Sequence, residues 1–169
     1  EIPREASMNA VDGHKVVVEL VKKLNNDLRY EGKVVEIIGH KNDPGVDIMS
    51  IICKYNINTE FPEEVKQEVA ELPMEVRPID LRGRKDLRDV EIFTIDGDDT
   101  KDIDDAISIQ RLPNGHYQLG VHIADVSYYV KEDSPLDKEG MERGTSVYLV
   151  DRVIPMIPHE LSNGICSLI

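Results

Sequence analysis

The stretch "TIDGDDTKDIDDA", residues 94–106, sets six aspartates into the ten positions from Asp96 to Asp105. No folded core takes in so many carboxylates, because each raises the cost of ionising its neighbours and burial raises it further. The segment must therefore lie at a surface or line a cleft. It follows the apolar run "VEIFTI", 90–95, and leads straight into "AISIQRL". The acids are thus expected to be held between two strands, not carried on a dangling loop.

Strand-like and helix-like segments alternate around this centre. "HKVVVEL", 14–20, and "GKVVEIIG", 32–39, are β-branched runs bounded by Gly, Asn and charges, and "IMSIICKY", 48–55, reads as a third strand after the turn "NDPGVD". Short strands with tight turns point to part of a small β-barrel. "FPEEVKQEVAELP", 61–73, predicts a helix with Pro62 at its first position, Glu63 and Glu64 at the positive end of the dipole, and Val65, Val69 and Leu72 on one face. Beyond the acids, "AISIQRL" and "HYQLGVHIA" are joined by "PNG", a hairpin signal. "SPLDKEGMERG", 134–144, predicts a helix capped by Ser134 and Asp137 and stopped by Gly144, and "TSVYLVD", 145–151, a further strand.

Charge divides the chain in the same place. Residues 1–57 carry eight Lys/Arg against nine Asp/Glu, while 58–169 carry twelve against twenty-four. An acidic unit repels nucleic acid unless cations or local basic patches intervene, and "LRGRKDLRD", 81–89, is one such patch, with Arg82, Arg84, Lys85 and Arg88 free to meet phosphates or to pair on the surface. Cys53 and Cys166 stand apart without CxxC or zinc spacing, which predicts reduced, packed thiols and a cytoplasmic protein. No apolar run is long enough to span a bilayer. The chain opens on Glu1 and stops within the apolar "NGICSLI", which is expected of a piece of something longer.

Three kinds of chemistry suit the aspartates. A solvated acidic loop is the plainest. An EF-hand is excluded by position, since counting from Asp96 the sixth residue is Lys101 and the twelfth is Ile107, where Gly and Glu are required. Phosphoryl chemistry on metal ions remains, with carboxylates from neighbouring positions bridging two cations. Bound cations would also convert an acidic pocket into a phosphate site. "IFTIDGDDT" further matches the haloacid-dehalogenase pattern, with Asp96 as nucleophile and Asp98 as acid/base, although such motifs are normally followed by a helix.

"TIDGDDTKDIDDA" resembles the signature of the ribonuclease II/ribonuclease R (RNB) family, TID-x5-D-x-DDA, and the similarity continues through "GVHIADVSYYV" and "SPLDKEGMERGTSVYLVDRVIPMIPHELSNGICSL". Upstream, "GKVVEIIGHKNDPGVDIMSIICKYNINTEFPEEV" resembles the end of that family's second cold-shock (OB-type) domain. The resemblance lies on the ribonuclease R side of the family and implies an α+β fold. It would be a partial OB-type β-barrel at 1–57, a helical linker and entry at 58–89, and the N-terminal part of a mixed α/β RNB catalytic domain at 90–169.

The resemblance implies hydrolytic, processive 3′-to-5′ degradation of RNA to nucleoside 5′-monophosphates with Mg²⁺, or Mn²⁺ in its place. Its four aspartates fall on Asp96, Asp102, Asp104 and Asp105. Asp96 and Asp105 would be the firmer metal ligands, Asp104 the residue nearest the chemistry, and Asp102 the completion of the second metal's shell; Asp98 and Asp99 would be dispensable. Tyr148 matches the aromatic that stacks on RNA near the 3′ end, and His122 and Asp125 would be structural supports beside the site. Implied partners are single-stranded RNA or structured RNA with a 3′ overhang, together with ribosome-associated or trans-translation factors, and no membrane. The family's later arginine and glutamate, second stacking aromatic, first cold-shock domain and S1-type domain have no counterpart in these residues, so little or no activity is expected of this chain alone. A non-catalytic RNA-binding module is the alternative.

Overall fold

A computed structural model describes residues 1–24 and 29–168. The chain divides into two compact units, Glu1–Thr59 and Glu60–Ile169.

The first unit is built on a long antiparallel ribbon, β1 (His14–Leu24) and β2 (Arg29–His40), in register from His14 opposite His40 to Leu24 opposite Arg29. Three register shifts, after Lys15, Val17 and Leu20, add twist, as bulges do. Gly32 allows close approach of the strands, because a Cβ there would lie 2.7 Å from Val18 Cγ1. The third element is a helix, α1 (Val46–Lys54), where the β-branched run 48–55 predicts a strand. The helix wins because Gly45 takes a left-handed φ of 80° ahead of it and because the helix buries Val46 and Ile52. Asp47 in the first turn and Lys54 in the last complement the dipole.

The second unit has a helical core. α2 (Glu63–Glu71) buries Val65 and Val69; Pro62 precedes it at the cap position, one residue earlier than the sequence predicts. After the acidic stretch come β3 (Asp105–Arg111) and β4 (Tyr117–Ile123), paired antiparallel from Asp105 opposite Ile123 to Arg111 opposite Tyr117. A one-turn helix α3 (Val126–Tyr129) leads to α4 (Pro135–Arg143). Ser134 caps α4 by accepting the Asp137 amide at 3.2 Å, Glu68 of α2 accepts the Leu136 amide at 2.8 Å, and Gly144 ends the helix at φ 69°. The fully enclosed Leu136 and Leu161 pack with Val65, Val69, Tyr129 and Cys166. Burying each such leucine contributes about 2 kcal/mol. Arg143 closes the lower edge: it pairs with the buried Glu139 at 2.8 Å and lies 3.8 Å over the Phe61 ring.

Two predicted strands shrink. Among the described residues the run 90–95 makes only a single bridge, Phe93 with Ile107, and Val90, Ile92, Phe93 and Ile95 stay exposed, without the burial that favours a longer ladder. The run 145–151 contributes only β5 (Val147–Tyr148), since the chain reverses at once, Leu149 donating to the Arg152 carbonyl at 2.8 Å, to pair as β6 (Val153–Ile154). Among the described residues no helix is long and apolar enough to cross a membrane.

Candidate active site: an acidic concavity in the second unit

The acidic stretch forms one wall of a concavity of about 680 Å³. Asp96, Asp98, Asp99, Asp102 and Asp104 line it, with Ser146, Tyr148, His159, Ser162 and Asn163 on the other wall. Asp105 does not line it; it opens β3 opposite Ile123. The structure therefore brings together Asp96, Asp102, Asp104 and Tyr148 and sets Asp105 at the margin.

Each of these groups is held by a local cause. The Phe93–Ile107 bridge, with amide-to-carbonyl distances of 3.0 and 2.9 Å, fixes the chain on both sides of the loop. Asp104 is anchored through its carbonyl, which accepts the Ala124 amide at 2.9 Å just past β4. Tyr148 reaches across from β5, and its hydroxyl donates to Asp102 Oδ2 at 3.0 Å while the ring stays 68% exposed. That bond to a carboxylate raises the Tyr148 phenol above its usual range. The Asp104 carboxyl is also raised, first by partial burial and then by the charges of Asp102, Asp105 and Asp96.

A separate network buttresses the segment that follows β4. Asp80 is buried and accepts from the Arg77 guanidinium at 2.9 and 3.0 Å, the Arg77 amide at 2.8 Å and the Tyr128 hydroxyl at 2.8 Å. Arg84 donates to the Asp80 carbonyl at 2.7 Å, pairs with Asp125 at 2.6 Å and lies 4.7 Å over the Tyr128 ring. Asp125 is thus a structural partner, and Arg84 is committed to the fold. Arg88 is paired with Asp86, whereas Arg82 and Lys85 are exposed with no side-chain partner among the described residues. His122 bonds Ser108 at 2.9 Å across the hairpin, a contact that Gly120 protects: a Cβ there would fall 2.4 Å from the serine oxygen. Both cysteines are unpaired, Cys53 half-buried and Cys166 buried, with the Cys166 thiol pushed up to about 11 by burial.

Apart from Tyr148, the sequence reading missed the opposite wall. Ser146, His159, Ser162 and Asn163 have no spacing that singles them out, and only the fold carries them to the aspartates. The donors on the acidic wall are hard carboxylate oxygens, the type that Mg²⁺ and Mn²⁺ select. Among the described residues, no three His, Cys, Asp or Glu side chains converge tightly enough to enclose an ion as they stand. Partial burial and, after it, the charges of neighbouring carboxylates raise Asp104, and a bound cation would offset both.

The fold and this site define a class: residues 84–169 match the RNB domain and residues 1–62 the cold shock domain, and the chain belongs to the RNB family. It is 56% identical over 162 residues to ribonuclease R of Thermotoga maritima, covering 95% of this chain and 23% of that protein. It is likewise 56% identical over 138 residues to ribonuclease R 1 of Lactococcus lactis, covering 82% of this chain and 17% of that protein. Mycoplasma genitalium RNase R in complex with double-stranded RNA superimposes with a TM-score of 0.86 at 29% identity, over 100% of this chain and 30% of that one. The chain therefore spans less than a quarter of the length of these two curated relatives.

Proposed function

We propose that this chain carries the acidic half of the catalytic centre of a hydrolytic, processive 3′-to-5′ exoribonuclease that releases nucleoside 5′-monophosphates. The observation that carries the reading is the meeting of three signature aspartates, Asp96, Asp102 and Asp104, with Tyr148 around one concavity. Within it, Asp96, Asp102, Asp104 and Asp105 would hold divalent metal, Mg²⁺ or Mn²⁺, with Asp104 nearest the reacting phosphate. When bound, such ions supply an activated water and a positive charge for the leaving oxygen.

The chain's own residues do the rest. Tyr148 offers an exposed ring on which any base can stack, which suits an enzyme that must accept every sequence, and its hydroxyl fixes the orientation of Asp102. Asp98 and Asp99 line the same wall at positions the signature leaves open, and are dispensable for the reaction. The reading divides the chain into a cold-shock portion over 1–57, a linker over 58–89 and a catalytic portion over 90–169. It takes single-stranded RNA, or structured RNA with a 3′ overhang, as substrate in a cytoplasmic setting. Ribosome-associated factors would be partners by family resemblance alone. The chain spans less than a quarter of its curated relatives, and little or no RNA hydrolysis is expected of it alone.

Calorimetric titration with Mn²⁺ on this chain and on its Asp104→Asn and Asp105→Asn variants tests the reading. Binding that weakens in both variants supports it. RNA binding that follows salt but is indifferent to metal, with unaltered or tighter RNA binding in the variants, would instead favour a binding module without catalysis.

A further inference from the structure

The loop bearing Asp102 and Asp104 is held from a point far along the chain. Ser167 Oγ donates to the Lys101 carbonyl at 2.9 Å and accepts the Ile103 amide at 3.0 Å, so one hydroxyl clasps the residues on either side of Asp102. The Leu168 amide adds a bond to the Ile103 carbonyl at 2.9 Å. On the other side of Asp104, its own carbonyl takes the Ala124 amide at 2.9 Å, so the two carboxylates sit on a short segment fastened at both ends.

Ser167 is itself immobilised. Its amide donates to the Gly164 carbonyl at 2.8 Å, and the preceding Cys166 is buried in the core with its amide on the Leu161 carbonyl at 2.9 Å. Gly164, at φ −128° and ψ −116°, lies outside the helical and extended regions and kinks the wide turn Leu161–Ile165 so that the chain can rise toward the loop. The same turn contributes Ser162 and Asn163 to the concavity.

We infer that Ser167 is a positioning residue for Asp102 and Asp104, acting through the loop backbone without touching the reacting groups. The inference rests on the reading of these carboxylates as the reaction's metal ligands. A hydroxyl is needed because the clasp must accept from one backbone group and donate to another at once, which neither a methyl nor an acceptor-only side chain does. Water can replace the two bonds in Ser167→Ala, but it cannot fix the direction in which the carboxylates point.

The test compares Ser167→Ala with Ser167→Thr, which keeps the hydroxyl. Amide hydrogen exchange at Ile103, read by NMR on this chain, is expected to rise about tenfold in the alanine variant and to return to the wild-type rate in the threonine variant. In a polypeptide carrying the whole catalytic domain, kcat for RNA hydrolysis is expected to fall about tenfold in Ser167→Ala, with KM unchanged, and to recover in Ser167→Thr. Wild-type exchange at Ile103 in Ser167→Ala overturns the inference, as does equal loss of kcat in both variants, which would mean that bulk and not the hydroxyl matters. Should the wild-type polypeptide hydrolyse no RNA with any divalent ion, the functional reading fails, and the exchange comparison alone decides whether Ser167 orders the loop.

Discussion

Asp80 is buried and accepts hydrogen bonds from a guanidinium, an amide and a phenol, whereas Asp104 stands at a concavity among three other carboxylates. The two aspartates titrate in opposite directions for that reason. The Arg77 hydrogen bonds hold Asp80 well below the usual carboxylate range, and partial burial with like-charged neighbours lifts Asp104. The first carboxylate stabilises the fold because its charge is fully met inside the protein. The second is left with a charge the protein does not meet, and that unmet charge makes it available to a cation.

Several substitutions would break or sharpen this contrast. The largest effect is expected from Asp104→Asn, which should lower RNA hydrolysis by about a thousandfold in a polypeptide with the complete catalytic domain and leave the melting temperature intact. Asp80→Asn should do the reverse, with a melting temperature several degrees lower and kcat within a few-fold of wild type. If Asp80→Asn abolished hydrolysis without loss of stability, the division between the two roles would collapse. Next in size, Tyr148→Ala should weaken binding of single-stranded RNA about tenfold, as loss of one stacked base does, while Tyr148→Phe keeps the ring and binds almost normally. Equal damage from both would shift the role of Tyr148 from stacking to holding Asp102.

A smaller, pH-dependent difference follows from the lowered Asp80 carboxyl. A group whose folded pKa is depressed contributes stability that is present above its unfolded value, about 3.9, and is lost as pH falls through the folded value. The stability gap between wild type and Asp80→Asn should therefore be constant from neutral pH to about pH 4 and narrow below it in acid-titrated melting curves. Smallest of all is Arg88→Ala. Its partner Asp86 is more than half exposed, and thermal melts should not register the loss.

What was legible in the sequence was what is local. The aspartate signature, the Asn114-Gly115 hairpin, and the Ser134 cap with the Gly144 stop each lie within a few residues of the partners that define them, and the structure has them in place. The run from Ile48 to Tyr55 misled because its isoleucines favour a strand, while burial of Val46 and Ile52, a tertiary matter, made it a helix. Asp47 and Lys54 at opposite ends were the available clue to the dipole. The strand expected at 90–95 failed for want of a partner beyond Ile107, which no local pattern reports. Asp96, Asp102, Asp104 and Tyr148 were candidates from the motif alone, and the structure brings them to one concavity. His159, Asn163 and the clasp at Ser167 were not, because they depend on how residues near 160 fold back on those near 100.

The clasp also has a consequence in time. Ser167 lies 64 residues after Ile103, so a ribosome makes the aspartate loop well before the hydroxyl that fastens it. At ordinary rates of synthesis that interval lasts on the order of 3–13 s. During it the carboxylates are present but their loop is unfastened. Completion of the segment through Leu168 ends that state.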